Sequence, residues 1–383
     1  MVNRLKAGLA LIALAAGVLL FFGDVRLSTT PASAQDRPPL SRWKSRDYAG
    51  LRYVGSKVCA ECHEHEARTQ LATPMAHALE PASGCGLLTS GRRLVFADGP
   101  YVHRLTSEGG RPVYTVTDGN RSISEPVLYC FGQGEVGQTY VFTRGGKLYE
   151  SRVSYYRGID GLDITVAHPR LPPRSLEDAL GRPVGREEAR GCFGCHSPEA
   201  VGKDELRLDG FNPGVTCESC HGPGERHVLA AGRKDLRDPQ IFNPGDLSAL
   251  ELSQEFCGSC HVSFDQAMLM PGQGGANNIR FQAYRIFNSP GHRSGDPRIS
   301  CVACHDPHRD VERGAARYDS KCLACHASDP KQPKTKERPA NACPVAKAEC
   351  TKCHMPKVEL PDTHARFTDH WIRTVRPGDQ VPH

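Results

Sequence analysis

The pattern Cys-x-x-Cys-His occurs seven times in the chain: Cys59–His63, Cys192–His196, Cys217–His221, Cys257–His261, Cys301–His305, Cys322–His326 and Cys350–His354. Cys and His each make up seventeen of 383 residues, so random placement gives only about 0.03 such copies. The spacing is the c-type haem attachment signal. Two thiols three residues apart can each add to one vinyl group of the same porphyrin, and the next imidazole then reaches the iron as its proximal ligand. Zinc ribbons also use Cys-x-x-Cys, but they need two pairs per metal and place no demand on the following residue. A thioredoxin-like pair needs a βαβ context and would not recur seven times.

The expected thioether cysteines are therefore Cys59, Cys62, Cys192, Cys195, Cys217, Cys220, Cys257, Cys260, Cys301, Cys304, Cys322, Cys325, Cys350 and Cys353. The proximal ligands are His63, His196, His221, His261, His305, His326 and His354. The cofactor reading is seven covalently attached haem c.

This loading constrains the fold. Between residues 192 and 354 there is one motif per roughly 27 residues, too little chain to wrap each haem in its own domain, so neighbours must share walls. Porphyrins then replace much of the core, in keeping with a 39% apolar fraction, 38 Gly and 29 Pro. The expected fold is a mostly irregular/α multihaem cytochrome fold, with short helices around a packed haem array and a small antiparallel β insert.

The insert is read from period-two runs such as Val113-Tyr114-Thr115-Val116 and Tyr140-Val141-Phe142, punctuated by Gly109-Gly110, Asp118-Gly119 and Gly145-Gly146. The expected divisions are 1–34 signal peptide, 35–55 flexible lead-in and 56–86 first haem segment. They continue with 87–166 β-rich insert, 167–191 crossover linker, and 192–383 six-haem array and wrapping tail.

The N-terminus carries Arg4 and Lys6, an apolar run over residues 7–22, and Ala32-Ser33-Ala34 before Gln35. That is the layout of a secretory signal peptide, and the run is shorter than a spanning helix prefers. The location is read as periplasmic or exported, with a membrane anchor only if this segment stays uncleaved. Formal charge is +5 for the whole chain. Without residues 1–34 it is +3, and fourteen propionates against seven ferric core charges bring the holoprotein to about −4. Nucleic acid is excluded as a partner class on this profile.

Ten histidines stand outside the motifs, enough to close the second face of every iron. His308 lies too near His305 to reach across the same iron, with Pro307 between them, so it is read as ligand to a neighbouring haem. His227, beyond Gly222-Pro223-Gly224, follows the same logic. His77 and His370 come next, then His168, His292 and His364. Two imidazoles per iron give low-potential, six-coordinate centres without a free position. Cys85, Cys130 and Cys343 lie outside the motifs, with three pairings open.

Several stretches give the chain a family resemblance: Tyr53-Val54-Gly55-Ser56, Gly214-Val215-Thr216-Cys217 through Gly224, Gly137-Gln138-Thr139-Tyr140 through Tyr149, Cys304-His305-Asp306-Pro307-His308, and Cys353-His354-Met355-Pro356-Lys357. With them it resembles multihaem cytochromes c related to the tetrahaem cytochrome that accepts electrons from hydroxylamine oxidation. The resemblance implies stacked haem pairs and distal ligands at His227 and His308. Seven motifs rather than four set the chain apart, so substrate and partner do not carry over. The expected function is electron transfer between periplasmic or membrane, quinol-linked redox partners. The alternative is a multihaem oxidoreductase acting on a small nitrogen or sulfur compound at one five-coordinate haem, for which Tyr155, Tyr156 and Arg157 offer a polar cluster.

Overall fold

The computed structural model describes residues 51–202, 205–234, 237, 239–270, 274–326, 343 and 345–382. The signal-peptide reading and most of the lead-in therefore lie outside the described residues.

Alternation of large apolar and polar side chains over residues 79–183 builds a nine-stranded antiparallel sheet. Its strands are β1 (Leu79–Pro81), β2 (Leu94–Asp98), β3 (Tyr101–Glu108), β4 (Arg111–Thr117), β5 (Ser122–Phe131), β6 (Gly137–Arg144), β7 (Lys147–Tyr156), β8 (Gly161–Ile164) and β9 (Gly181–Pro183). The main path runs β2-β3-β4-β5-β6-β7-β8, a meander in which each strand pairs with the next.

Two of the turns are dictated by glycine. Gly109-Gly110 joins β3 to β4 and Gly145-Gly146 joins β6 to β7, all four at positive φ. The flanking pairs Glu108↔Arg111 and Arg144↔Lys147 close two-residue hairpins, whose mirror-image turns match the strand twist only when both central residues tolerate φ > 0.

The long strands change partners along their length. β5 pairs with β4 through residues 122–126 and with β1 through residues 129–131, while β6 lies along its other side. β7 likewise takes β9 at residues 149–151 and β8 at residues 153–156. β2 returns against β8, where Arg92 and Asp160 form an ion pair at 2.9 Å, so the sheet is nearly closed on itself. Inward-facing Leu105, Tyr114, Val116, Tyr140, Phe142 and Val153 are fully buried. The short helix Leu176–Leu180, capped by Ser175, packs against β4, β5 and β7.

This overturns the expected fold class. The chain is not a mostly irregular/α fold carrying a small β insert, because a large, nearly closed antiparallel sheet with its own core is a principal part of it. The pattern understated the sheet because its peripheral strands are short. β1 and β9 are three residues each and end in Pro, a residue that sheets accept at edges.

The motif helices follow a different logic. Helical geometry puts residues i, i+3 and i+4 on one face, so both cysteines and the histidine of each motif share a side. Motifs ride on Arg186–His196, Cys217–His221, Asp319–His326 and Cys350–His354; Gly258–His261 begins just after Cys257, Cys301–Cys304 stops one residue short of His305, and the first motif's helix, Ser56–Ala60, ends before Cys62. Apolar packing among them is sparse: a cluster of Leu79, Phe193 and Ala200, and another of Ala267, Phe281 and Tyr284. A final hairpin, β10 (Lys357–Leu360) and β11 (Ala365–Thr368), closes the described chain.

Candidate haem-binding array

Three motif imidazoles each face a histidine from elsewhere in the chain. His63 and His227 have ring centres 6.2 Å apart, His221 and His308 6.1 Å, and His305 and His370 6.2 Å. A metal–imidazole bond is about 2 Å, and the ring centre lies about 1 Å beyond the coordinating nitrogen, so two imidazoles sharing one iron have centres about 6 Å apart. The observed spacings fit that separation.

Hydrogen bonding leaves the right nitrogen free. Nδ1 of His196 donates to Ala78 O at 2.8 Å, His221 to Phe242 O at 3.0 Å and His354 to Arg373 O at 3.1 Å. His227 does the same to Pro239 O at 2.6 Å and His370 to Thr368 O at 3.0 Å. A carbonyl only accepts, so Nδ1 carries the proton and Nε2 keeps the lone pair that binds a metal. Burial lowers the pKa of His196, His221 and His305, and takes that of His370 to about 4, which keeps all four in the neutral, ligating form. The residues present fit haem iron.

The other proposed ligands divide by their contacts. His77 holds Glu80 through Nδ1 at 2.7 Å, and His261 contacts Gln282 Oε1 through Nδ1 at 3.4 Å. His292 is 6% exposed, and neither ring nitrogen has a partner. His168 and His364 instead engage Nε2, with Glu150 at 3.0 Å and Asp163 at 2.7 Å. His326 ends its helix in an exposed position. The polar cluster of the enzyme alternative is occupied by the protein itself. Tyr155 OH donates to Asp160, Tyr156 OH to Ile164 O, and Arg157 pairs with Glu135.

The motifs also touch one another. The thiols of Cys59 and Cys217 lie close together, as do those of Cys257 and Cys301 and of Cys322 and Cys350, each pair near enough for one to perturb the other's ionisation. Cys195 Sγ lies 3.9 Å from Ser259 O, which sets the second motif against the fourth. Cys220 is close enough to Cys257 to perturb its ionisation, and Cys322 does the same to Cys304. The first motif thus lies against the third, the fourth against the fifth and the sixth against the seventh, with the third near the fourth, the fifth near the sixth and the second beside the fourth.

Three acidic residues that the sequence reading passed over hold this arrangement. Glu218, between the cysteines of the third motif and 2% exposed, accepts from Val54 N at 2.8 Å, Gly55 N at 2.7 Å and Gly224 N at 2.7 Å. It fastens the approach to the first motif onto the third. Asp319 accepts from Glu349 N and Cys350 N at 2.7 and 2.9 Å, coupling the sixth motif helix to the seventh.

Asp369, next to His370, takes both arms of Arg285 at 2.8 and 2.7 Å, and both side chains are fully buried. Burial alone would raise the Asp369 carboxyl. Arg285, the Trp371 N–H and Arg373 outweigh it and hold the group below the usual carboxylate range. The available signal was chemical: a carboxylate inside or beside a haem motif must either face water or find donors.

Comparison with known proteins agrees with the motif geometry. The family profile of Cytochrome c554 and c-prime matches residues 175–222. The chain is 21% identical over 215 residues to the Multiheme cytochrome MtrA of Shewanella baltica (strain OS185), covering 51% of this chain and 55% of that protein. These likenesses support a multihaem c-type cytochrome carrying covalently bound haem c. The chain thus spans about half the length of the curated relative it matches. Its fold is similar to that of the outer cell wall cytochrome OcwA, with a TM-score of 0.51 at 14% identity, covering 86% of this chain and 82% of that one. Among the described residues no helix is long and apolar enough to cross a membrane.

Proposed function

We propose that the chain is an exported heptahaem c-type cytochrome that passes electrons along closely packed, mainly bis-His centres between periplasmic or membrane redox partners. The observation that carries this reading is the set of three imidazole pairs at 6.1–6.2 Å, each joining a motif histidine to a distant one. In it His63 and His227 would together hold one iron, His221 and His308 a second, and His305 and His370 a third. His77, whose Nδ1 holds Glu80, and His292, whose ring nitrogens have no partner among the described residues, are the next ligands. His168 and His364 serve only on releasing the carboxylates at their Nε2 atoms.

Bound haem c supplies a one-electron ferric/ferrous couple at each site. The protein's part is to attach, orient and space the sites. Fourteen cysteines would fix the macrocycles, and backbone carbonyls set the tautomers of His196, His221, His227, His354 and His370. At the three paired sites both iron faces would be taken by imidazoles, leaving no position there for a substrate and electron transfer as the chemistry.

The test is electron paramagnetic resonance of the oxidised protein beside an intact mass spectrum. Seven haems and low-spin ferric signals alone are expected. A high-spin signal that changes on adding nitrite, hydroxylamine or sulfite would replace the carrier with the oxidoreductase reading.

A further inference from the structure

Two of the three cysteines outside the motifs meet in the core of the sheet. Cys85 caps the short helix Gly86–Thr89, directly after the turn Ala82–Gly84. Cys130 sits on β5, between Glu80 of β1 and Tyr140 of β6. Both are 0% exposed and belong to the same apolar cluster as Leu88 and Tyr140. The two thiols lie close enough that each is the largest influence on the other's ionisation, and Cys85 Sγ donates to Gln138 Oε1 at 2.9 Å.

The three other touching thiol pairs differ in kind. Each joins two haem motifs, is only half-buried, and has a motif histidine close by in sequence. Cys85 and Cys130 have neither a haem motif nor solvent access, so thioether formation does not claim them.

We propose that Cys85 and Cys130 are joined by a disulfide in the mature protein, a proposal that rests on the export reading above, since thiols pair stably in oxidising compartments. The oxidant is a protein disulfide donor acting by thiol–disulfide exchange. Cys85 loses its proton and attacks the donor disulfide as a thiolate. It bonds to one donor sulfur and releases the other as a thiolate. Cys130 then loses its proton and displaces the remaining donor sulfur from Cys85. The chain gives up two electrons and two protons, and the donor is left as a dithiol. Because both sulfurs end sealed from water, exchange precedes closure of the Gly86–Thr89 helix over them. The bond fastens the segment that follows the first haem motif to the middle of the sheet.

The experiment takes holoprotein from the exported fraction of a host that loads c-type haem, unfolds it in excess N-ethylmaleimide without reductant, and maps the digest by mass. The expected result is one linked pair of peptides carrying Cys85 and Cys130, unlabelled and lighter than the reduced sample by two hydrogen atoms, with Cys343 labelled. Maleimide on both Cys85 and Cys130 would overturn the proposal. Haem mass on the motif peptides is read from the same digest, so a cytochrome without haem and a chain without the disulfide give different spectra. Cys130→Ser should leave Cys85 labelled and lower the melting temperature. If that variant does not fold, the wild-type map still decides.

Discussion

At the scale of single residues, Asp369 links packing to ligand position. It precedes His370 and is gripped by Arg285, whose guanidinium also reaches Asn278 Oδ1 at 3.0 Å and Pro382 O at 2.8 Å and lies over the Trp371 ring. Removing one partner of a buried pair leaves an uncompensated charge, at a cost of roughly 3–5 kcal/mol. Asp369→Ala should therefore lower the melting temperature sharply and disturb the low-spin signal of the His305/His370 centre, whereas a surface Asp→Ala should do neither. The pH dependence has a fixed sign. The folded pKa of Asp369 lies below the unfolded one, so its stabilisation is fully present above about pH 4 and is lost as pH falls through the lower folded value. Asp369→Asn should lack that part of the acid loss when melting temperature is followed against pH.

At the scale of elements, the hairpins show what the amino-acid order dictates without help from tertiary contacts. Gly146 has φ 73° and open space where a Cβ would stand. Gly146→Ala should thus cost about 1 kcal/mol from backbone strain alone, measurable by thermal melting, with the haem spectrum unchanged. These turns and the alternating strands between them were legible because both signals are local. The extent of the sheet was not. β1 and β9 owe their pairing to stretches of β5 and β7 that β4 and β8 leave open along one edge, a matter of strand length and register far along the chain. The haem motifs were legible for the same reason as the hairpins, since five consecutive residues carry the chemistry. The carbonyls that fix the imidazoles were not, because Ala78 and Phe242 act through the main chain and any residue type serves there.

At the scale of the whole molecule, the two parts have different sources of cohesion. The sheet encloses Leu105, Tyr114, Tyr140, Phe142 and Val153 without using a motif residue. Among the described residues the array has two small apolar clusters. Protein made in cells unable to attach haem should therefore lose the array and keep the sheet. Limited proteolysis of that material should leave a resistant fragment spanning residues 79–183. Complete digestion at a rate uniform along the chain would show that the sheet needs the array to fold.

Glu218 stands 164 positions after Val54, the residue whose amide it accepts. On the export reading, the chain emerges from its translocon N-terminus first. The Cys59–His63 site is then in the open long before the carboxylate that will seat it has been delivered, and the whole sheet passes through in the interval. On that reading, maturation enzymes would meet this site as a bare tether rather than a docked surface, and the proposed second imidazole, His227, would arrive only behind Glu218.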